Sequence, residues 1–259
     1  MTTPGGVDVE RTPHTLTSAD GVLVSVEAYH APGREAAVII CPGFFQSKET
    51  GTFQRMSFAL AAHWDVLAMD FRGHGRSTGL YTFSASEGAD LEALLRFAQE
   101  RYQRLGVLAF SLGAAITINT LSRQAERVCS LVAISGPSTF EEIEFQFWTP
   151  EAMRTGLQGC EPGSGCRPGN PLMKKERPVE TVRAMRAIPK FFIHGTRDVI
   201  VGHPHSQRLY AAAPEPKRLE LVEGGGHAEA LFRDDPQGFL HLVEPWLTET
   251  LTAPRPSLR

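Results

Sequence analysis

Apolar residues follow two different periods along the chain, and each period predicts one kind of element. Short, mostly apolar runs are typical of strands buried on both faces of a sheet. Between these runs, apolar residues recur at helical spacing, which is typical of a helix with one buried face. The predicted strands cover residues 35–41, 65–69, 107–110, 127–135, 190–194 and 217–222. The predicted helices cover residues 52–62, 86–104, 112–124, 205–212 and 237–250. Strands that alternate with helices over short connections indicate an α/β fold with a doubly wound, mainly parallel sheet.

The N-terminal region has the alternating pattern of antiparallel strands instead. Residues 9–17 and 22–28 alternate between polar and apolar positions on either side of a turn at residues 19–21. This arrangement predicts an N-terminal antiparallel hairpin. No apolar run along the chain is long enough to cross a bilayer, so we expect no membrane span.

One interval breaks the regular alternation of strands and helices. Residues 137–189 separate two predicted core strands and are much longer than an ordinary connection. The interval holds the aromatic residues Phe145, Phe147 and Trp148, and a short helix is predicted near residues 179–187. It is either an insertion packed on its own aromatic side chains or a small cap over the carboxyl ends of the strands, where α/β sheets bind ligands. We expect one domain, residues 1–259, with residues 137–189 as a cap or lid.

Composition narrows the class of protein. The chain has 259 residues, which fits one large α/β domain, and its hydrophobic content of 42% and charged content of 21% are those of an ordinary globular protein. A net charge of −3 gives no basic surface for nucleic acid. Because the N-terminus lacks the positive and apolar regions of a signal peptide, we expect a cytoplasmic protein. It should be a monomer or a homodimer.

The four cysteines allow two interpretations. Cys41 and Cys129 lie in apolar runs and should behave as small buried residues. Cys160 and Cys166 enclose a loop rich in glycine and proline, and they are either reduced thiols or a local disulfide. Since no histidine lies nearby at a suitable spacing, we expect no zinc site here.

The strongest candidate for chemistry is a serine between a predicted strand and a predicted helix. Ser111 follows the apolar residues 107–110 and precedes Leu112 and Gly113, where the helical pattern begins. A sharp turn of this kind exposes a serine Oγ and directs the N–H groups of the helix toward developing negative charge. The usual pattern is Gly-x-Ser-x-Gly, and Ala109 replaces its first glycine. Taken alone, the same sequence also fits an ordinary turn between a strand and a helix.

A nucleophilic serine needs a base, and the base needs an acid to orient it. His227 ends a glycine-rich loop just beyond the last predicted strand, and Asp198 lies just beyond the strand before it. Because the carboxyl ends of parallel strands meet at one edge, Ser111, Asp198 and His227 are expected to lie together. Their order along the chain, Ser, Asp, His, is that of hydrolases built on such a sheet.

With these residues in this order, the chain resembles the α/β-hydrolase superfamily, and within it the small bacterial serine esterases and serine-aminopeptidase-like hydrolases. The resemblance covers about residues 35–246. Its motifs are residues 41–44 (Cys-Pro-Gly-Phe), 70–77 (Asp-Phe-Arg-Gly-His-Gly-Arg-Ser), 110–113 (Phe-Ser-Leu-Gly), 194–198 (His-Gly-Thr-Arg-Asp) and 226–227 (Gly-His). Where many relatives have His-Gly, this chain has Pro42 and Gly43. An oxyanion donor is a backbone group, so this departure should not abolish an oxyanion hole.

The resemblance implies a mechanism without metal or cofactor. In it Ser111 attacks the carbonyl, His227 transfers the proton and Asp198 orients the imidazole, while the backbone N–H groups of Phe44 and Leu112 form the oxyanion hole. The expected substrate is a small-molecule ester or acyl compound. Further candidates, for contact with the substrate, are Phe45, Phe145, Phe147 and Trp148.

Other activities stay open at this stage. An aminopeptidase would need an acidic anchor, which Glu141, Glu142 or Glu144 could supply. A thioesterase acting on acyl carriers would favour a basic patch, for which the insertion offers Lys174, Lys175, Arg177, Arg183 and Arg186. A ligand-binding protein without activity is the third alternative, since a fold alone does not fix function.

Several other polar residues in the motifs are expected to have structural roles. Asp70 and His74 suit the support of a turn, and His194 is expected to be packed rather than catalytic. His203 and His205 flank Pro204, but a metal pair there is not expected.

Overall fold

The computed structural model describes residues 1–3, 6–123, 128–141, 143, 149–158, 160–186 and 188–253. Its strands are β1 (Glu10–Thr17), β2 (Leu23–His30), β3 (Ala36–Cys41), β4 (Asp65–Met69), β5 (Arg104–Phe110), β6 (Val128–Ile134), β7 (Lys190–Gly195) and β8 (Lys217–Val222). Its helices are α1 (Gly51–Leu60), α2 (Gly88–Gln99), α3 (Leu112–Leu121), α4 (Pro150–Gln158), α5 (Pro178–Thr181), α6 (Pro204–Ala212), α7 (Ala230–Asp234) and α8 (Pro236–Thr252). A short 3₁₀ helix, Val182–Ala184, follows α5.

The strands form one sheet in the order β1-β2-β4-β3-β5-β6-β7-β8. β1 pairs antiparallel with β2, and β2 pairs antiparallel with β4. From β4 to β8 every pairing is parallel. The predicted fold class, a doubly wound and mainly parallel sheet with an N-terminal hairpin, is therefore confirmed. β5, which carries Ser111 at its end, lies near the centre of the sheet.

Each face of the sheet buries its own hydrophobic cluster. Along β5, Val107 and Ala109 face the cluster that contains the apolar sides of α2, α3 and α6. Leu108 and Phe110 face the opposite cluster, which contains those of α1 and α8. Complete burial of a side chain such as Phe110 contributes about 1.5–3 kcal/mol. Because β5 is covered on both sides, the residue at its end is held on a rigid base.

Two parts of the helical pattern differ from the sequence prediction. The helix predicted over residues 86–104 ends at Gln99, because its buried side ends at Ala98 and the N–H groups of Gln103 and Arg104 then donate to the Glu35 carbonyl oxygen. This contact brings the chain alongside β3, and β5 begins at Arg104. The pattern also missed α4 and α7, since a short helix carries too few apolar positions for periodicity to separate it from a loop.

The insertion between β6 and β7 packs one of its segments against the core domain. We call residues 161–169 the strap. Its Gly165 N–H donates to the Phe45 carbonyl oxygen at 2.9 Å, and its Arg167 N–H donates to the Gly73 carbonyl oxygen at 2.7 Å. The Glu161 carboxylate accepts the Thr52 N–H at 2.7 Å, at the beginning of α1. The strap thus joins α1 to two loops at the carboxyl edge of the sheet.

The two cysteines of this region are thiols. Cys160 and Cys166 form no disulfide, so the structure has the reduced alternative of the two considered above. The aromatic residues Phe145, Phe147 and Trp148 lie outside the described residues. Within the described part of the chain, no helix has the length and apolarity that a membrane span requires.

Candidate active site

Ser111 sits on a strained turn between β5 and α3. Its backbone has φ 50° and ψ −125°, a conformation that costs a non-glycine residue on the order of 1–3 kcal/mol. The turn is fixed because the Ser111 N–H donates to the Ile134 carbonyl oxygen of β6 at 2.8 Å. As a result α3 begins immediately at Leu112, and its first N–H groups lie beside the serine.

Two glycines allow the loop after β3 to approach this turn. A Cβ at Gly113 would lie 2.3 Å from the Pro42 carbonyl oxygen, and a Cβ at Gly43 would lie 3.0 Å from the Ser111 Cβ. The first distance is impossible without movement of the backbone. The glycine that follows Leu112 is therefore required by packing. At Ala109, where the usual pattern has glycine, the side chain is completely buried without displacing the strand.

The three residues predicted to act together are brought together. His227 Nε2 lies 2.9 Å from Ser111 Oγ, and His227 Nδ1 lies 2.6 Å from Asp198 Oδ2. A carboxylate can only accept, so Nδ1 carries the proton and Nε2 is left to accept the Ser111 O–H. The arrangement is a continuous chain of hydrogen bonds from a buried carboxylate to an unusually strained serine.

The charges of these hydrogen-bonded residues favour an ionised Asp198 and a basic His227 imidazole. Burial raises the pKa of Asp198, but the adjacent His227 and His194 rings outweigh it and hold the pKa well below its usual range. Burial likewise lowers the pKa of His227, and the Asp198 carboxylate outweighs it, so the net shift is upward. His227 is thus a stronger base than a free imidazole.

Asp198 is held by more partners than the sequence indicated. Its Oδ1 accepts the N–H groups of Ile200 and Val201 at 3.0 and 2.9 Å. His194 Nε2 lies 3.1 Å from Asp198 Oδ2 and 2.6 Å from the Val201 carbonyl oxygen, while His194 Nδ1 lies 2.6 Å from Ser206 Oγ. His194 is buried as expected, but its ring also contacts the acid. Its position four residues before Asp198 at a strand end was the available signal.

The loop that carries His227 is fixed against the ends of two strands. A Cβ at Gly195 would lie 2.3 Å from the Gly225 carbonyl oxygen, so the loop rests directly on the end of β7. The Ala228 N–H donates to Ser135 Oγ, beyond β6, at 3.0 Å. These contacts fix the backbone of the loop, and the hydrogen bond to Asp198 orients the His227 ring.

Residues 42–48, which we call the oxyanion loop because they include the predicted oxyanion donor Phe44, are held by His74. Phe45 has a positive φ of 68°, and its N–H donates to His74 Nε2 at 3.0 Å. Burial lowers the pKa of His74 to about 4, so the ring is neutral and its Nε2 can accept. The strap takes the Phe45 carbonyl oxygen, as described above. The N–H and carbonyl groups of Phe45, the residue after Phe44, are therefore both held by hydrogen bonds.

A buried ion pair closes the same loop. Lys48 Nζ lies 2.5 Å from Asp70 Oδ2, and the Lys48 N–H donates to Asp70 Oδ1 at 2.8 Å. Asp70 Oδ2 also accepts the Arg76 N–H at 3.0 Å. Asp70 lies in a turn, as the sequence predicted, and it also ties that turn to the oxyanion loop.

Aromatic rings surround the predicted oxyanion residue. The Phe44 ring lies 5.7 Å from that of Tyr81, 5.3 Å from that of Phe83 and 5.9 Å from that of Phe45, measured between centroids. Phe45 is 39% exposed, which leaves one apolar ring open beside the loop. Of the residues predicted to contact the substrate, Phe45 is the one that the structure describes.

Two of the residues named for other activities have clear partners. Glu141 forms an exposed ion pair with Arg177 at 2.6 Å, while Glu142 and Glu144 lie outside the described residues. His205 Nδ1 lies 2.9 Å from Ser138 Oγ. No group of metal-ligating side chains is present among the residues that the structure describes.

One pair of residues beside the site was not predicted at all. Glu229, two residues after His227, accepts a hydrogen bond from Gln46 of the oxyanion loop at 2.8 Å. Burial raises the pKa of Glu229, and its charge contributes to the raised pKa of His227. Gln46 and Glu229 are far apart in sequence, and neither belongs to a recognisable motif.

Two uncharacterized bacterial proteins are similar to the chain in sequence. It is 27% identical over 188 residues to the uncharacterized protein YfhR of Escherichia coli (strain K12), a match that covers 66% of this chain and 60% of YfhR. It is also 27% identical over 224 residues to the uncharacterized protein Rv2307c of Mycobacterium tuberculosis (strain ATCC 25618 / H37Rv), covering 84% of this chain and 72% of that protein. The chain thus spans less than two thirds of the length of YfhR.

Solved structures share the fold at low identity. The esterase Pf2001 of Pyrococcus furiosus superimposes with a TM-score of 0.76 at 23% identity, covering 97% of this chain and all of that chain (100%). The esterase RhEst1 of Rhodococcus sp. ECU1013 gives a TM-score of 0.74 at 18% identity, with 92% and 99% covered. The sequence profile of the alpha/beta hydrolase family matches residues 38–242. That match extends from β3 to α8 and includes all three residues of the hydrogen-bonded chain, and the protein belongs to the alpha/beta hydrolase family.

Proposed function

We propose that this protein is a serine hydrolase that cleaves carboxylic esters through an acyl-enzyme. The observation that carries the proposal is the continuous hydrogen-bonded chain from Asp198 through His227 to Ser111 on a strained turn. Backbone strain of this kind clusters at functional sites, and here it accompanies a serine Oγ at 2.9 Å from an imidazole.

The proposed reaction follows from the positions of these groups. Ser111 Oγ attacks the carbonyl carbon while His227 Nε2 takes its proton. The tetrahedral intermediate then collapses, and the same nitrogen returns the proton to the leaving alcohol. A water molecule, deprotonated by His227, attacks the acyl-enzyme and releases the acid with Ser111 restored. Asp198 stays ionised throughout and stabilises the imidazolium.

Negative charge develops on the carbonyl oxygen during both steps. We propose the N–H groups of Leu112 and Phe44 as its hydrogen-bond donors. Support comes from Leu112 beginning α3 directly after the serine, and from Phe44 lying in a loop that packs on the same turn. Each such donor is typically worth about 3 kcal/mol of transition-state stabilisation.

An ester is the favoured substrate for two reasons. The half-buried rings of Phe44 and Phe83 and the more exposed ring of Phe45 provide an apolar surface beside the proposed oxyanion hole, which suits an uncharged acyl or alcohol group. Two proteins of the same fold, Pf2001 and RhEst1, are described as esterases. We further propose that residues 137–189 act as a cap, because the strap packs on the oxyanion loop at the carboxyl edge of the sheet.

The test compares hydrolysis by the wild-type protein with that of Ser111→Ala. The substrates are nitrophenyl esters of short and long acyl chains, an acyl-CoA and an aminoacyl anilide. Ester hydrolysis should fall by about four to six orders of magnitude in Ser111→Ala. The matched control is Ser122→Ala at the other end of α3, where the hydroxyl donates only to the Asn119 carbonyl oxygen. Activity that survives in Ser111→Ala, or turnover of the thioester or anilide alone, would contradict the proposal.

A further inference from the structure

Two separate loops carry the groups that the proposed reaction needs. The oxyanion loop carries the Phe44 N–H, and the loop after β8 carries His227. A transition state requires both at fixed positions relative to Ser111, and errors near 1 Å cost about a hundredfold in rate. The contact between these two loops therefore affects the reaction directly.

The side chains of Gln46 and Glu229 form a direct bridge between the loops. Gln46 Nε2 donates to Glu229 Oε1 at 2.8 Å, and both residues are half-buried. A hydrogen bond that a carboxylate accepts is among the stronger ones in proteins. Because one oxygen of Glu229 is occupied by an amide donor, its carboxylate is held in one place.

Each loop also has anchors elsewhere in the fold. The oxyanion loop is held by His74 and by the strap, and the His227 loop is held by Ser135 beyond β6. Those anchors fix each loop to the sheet and to its neighbours. The hydrogen bond between Gln46 and Glu229, in contrast, joins one loop to the other.

The charge of Glu229 also faces the general base. The ionisable groups around this point are Asp198 on the loop after β7, Glu229 beside His227 and Arg233 on α7. During acylation His227 becomes an imidazolium ion, and a second carboxylate beside Asp198 favours that charged form.

We propose that Gln46 and Glu229 form a clasp that holds the loop of the oxyanion donor Phe44 and the loop of the general base His227 at a fixed separation. Both residues act through others and are positioning residues. The inference rests on the proposed function, because the oxyanion hole and the general base are themselves assigned there.

A cycle of substitutions tests the clasp. Gln46→Ala removes the donor, and kcat should fall about tenfold with KM changed less than threefold. Gln46→Glu places two carboxylates face to face, and kcat should fall about a hundredfold. In the exchange Gln46→Glu with Glu229→Gln, the new carboxylate accepts from the new amide. We expect the exchange to restore kcat to within about threefold of the wild-type value.

The pH dependence of kcat/KM distinguishes the positional effect of the clasp from the effect of the Glu229 charge on His227. Glu229→Gln keeps an acceptor for the Gln46 amide but removes the negative charge beside His227. Its kcat should fall less than threefold, and the acid limb of its kcat/KM profile should move to lower pH. Gln46→Ala keeps the charge, so its acid limb should not move to lower pH. A residue with a merely structural role would give no such division.

The matched control is Gln54→Ala on α1, whose amide donates to the Glu49 carbonyl oxygen and not to the His227 loop. Each variant is also followed by thermal unfolding and by the rate at which a fluorophosphonate labels Ser111. If the wild-type protein neither labels nor turns over esters, the proposed function fails and the clasp with it. If the wild-type protein is active while Gln46→Ala and Gln46→Glu match it within twofold, the clasp alone is wrong. Failure of the exchange to recover kcat in a folded protein would also overturn it.

Discussion

At the scale of single residues, Asp198 is the most constrained group in the site. Both of its oxygens are occupied, Oδ1 by two backbone N–H groups and Oδ2 by two imidazoles. Such a carboxylate cannot rotate without the loss of several hydrogen bonds. The orientation of His227 is therefore set by the loop after β7 rather than by a single contact.

His194 should contribute to both stability and activity. In His194→Leu, the Val201 carbonyl oxygen and Ser206 Oγ lose a buried partner, each at a cost of about 1–3 kcal/mol. We expect a loss of about 2–4 kcal/mol in the free energy of unfolding, measured by urea denaturation. We also expect kcat/KM to fall about tenfold, because Asp198 loses one of its partners. His194→Gln, which can still donate to Val201, should lose less of both, and equal losses in the two variants would refute this role.

The raised pKa of His227 predicts where activity is lost on acidification. The proposed base must be neutral, so kcat/KM should be full above its pKa and fall as the pH drops through it. Since the net shift is upward, the acid limb should lie above pH 6.5, the usual value. In Asp198→Asn the carboxylate that raises this pKa is gone, and the limb of the residual activity should move to lower pH. An unmoved limb would show that another group titrates.

At the scale of elements, the ends of the parallel strands explain which residues of the site could be predicted from the sequence. Ser111, Asp198 and His227 follow strands whose patterns are clear, and parallel strands bring their ends to one edge. Contacts across that edge leave no periodic signal. The Gln46 and Glu229 pair joins residues far apart in sequence, and the strap binds through backbone groups that every residue has. Side-chain pairs and backbone docking of this kind could not be predicted from the pattern.

Substitution of Gly113 tests how closely α3 packs on the oxyanion loop. In most helices a change from glycine to alanine stabilises by about 1 kcal/mol. Here the added Cβ would lie 2.3 Å from the Pro42 carbonyl oxygen and 2.6 Å from that of Cys41. Gly113→Ala must therefore move α3 away from the oxyanion loop, and both the free energy of unfolding and kcat should fall.

The control for this variant is Gly202→Ala. Its Cβ would meet only the Pro204 Cδ, at an ordinary contact distance of 3.4 Å. We expect kcat for Gly202→Ala within twofold of the wild-type value and a loss of at least tenfold for Gly113→Ala, with melting temperatures that fall in the same order. A Gly113→Ala protein that is more stable and equally active would contradict the packing argument.

At the scale of the whole molecule, two distant segments converge on the oxyanion loop. Residues 70–76 supply His74 and the Asp70 partner of Lys48, and the strap supplies the Gly165 N–H. These segments come from different parts of the chain, so the loop takes its shape only when the chain has folded. The position of the proposed oxyanion donor is thus coupled to global stability.

This coupling predicts a specific sensitivity to acid. His74 has a pKa of about 4 in the folded protein, lowered first by burial and further by the charge of Arg167. In the unfolded chain its pKa is near the usual 6.5, so between these two values the unfolded state binds a proton that the folded state does not. The stability that a neutral His74 provides is therefore fully present above about pH 6.5 and is lost as the pH falls toward 4. At pH 4.5 this amounts to a loss of about 2–3 kcal/mol in the free energy of unfolding.

His74→Gln separates the contribution of His74 from those of the carboxylates and the other imidazoles that titrate in the same range of pH. The amide oxygen of glutamine can accept the Phe45 N–H, but it cannot take up a proton over this range of pH. The free energy of unfolding, measured in urea at pH 7.5 and 4.5, should fall by about 2–3 kcal/mol less in His74→Gln than in the wild-type protein. If the two proteins lose equal stability, His74 is either protonated in the folded state or accessible to water. In that case the oxyanion loop is not held by a neutral imidazole, and its anchoring at Phe45 must come from the strap alone.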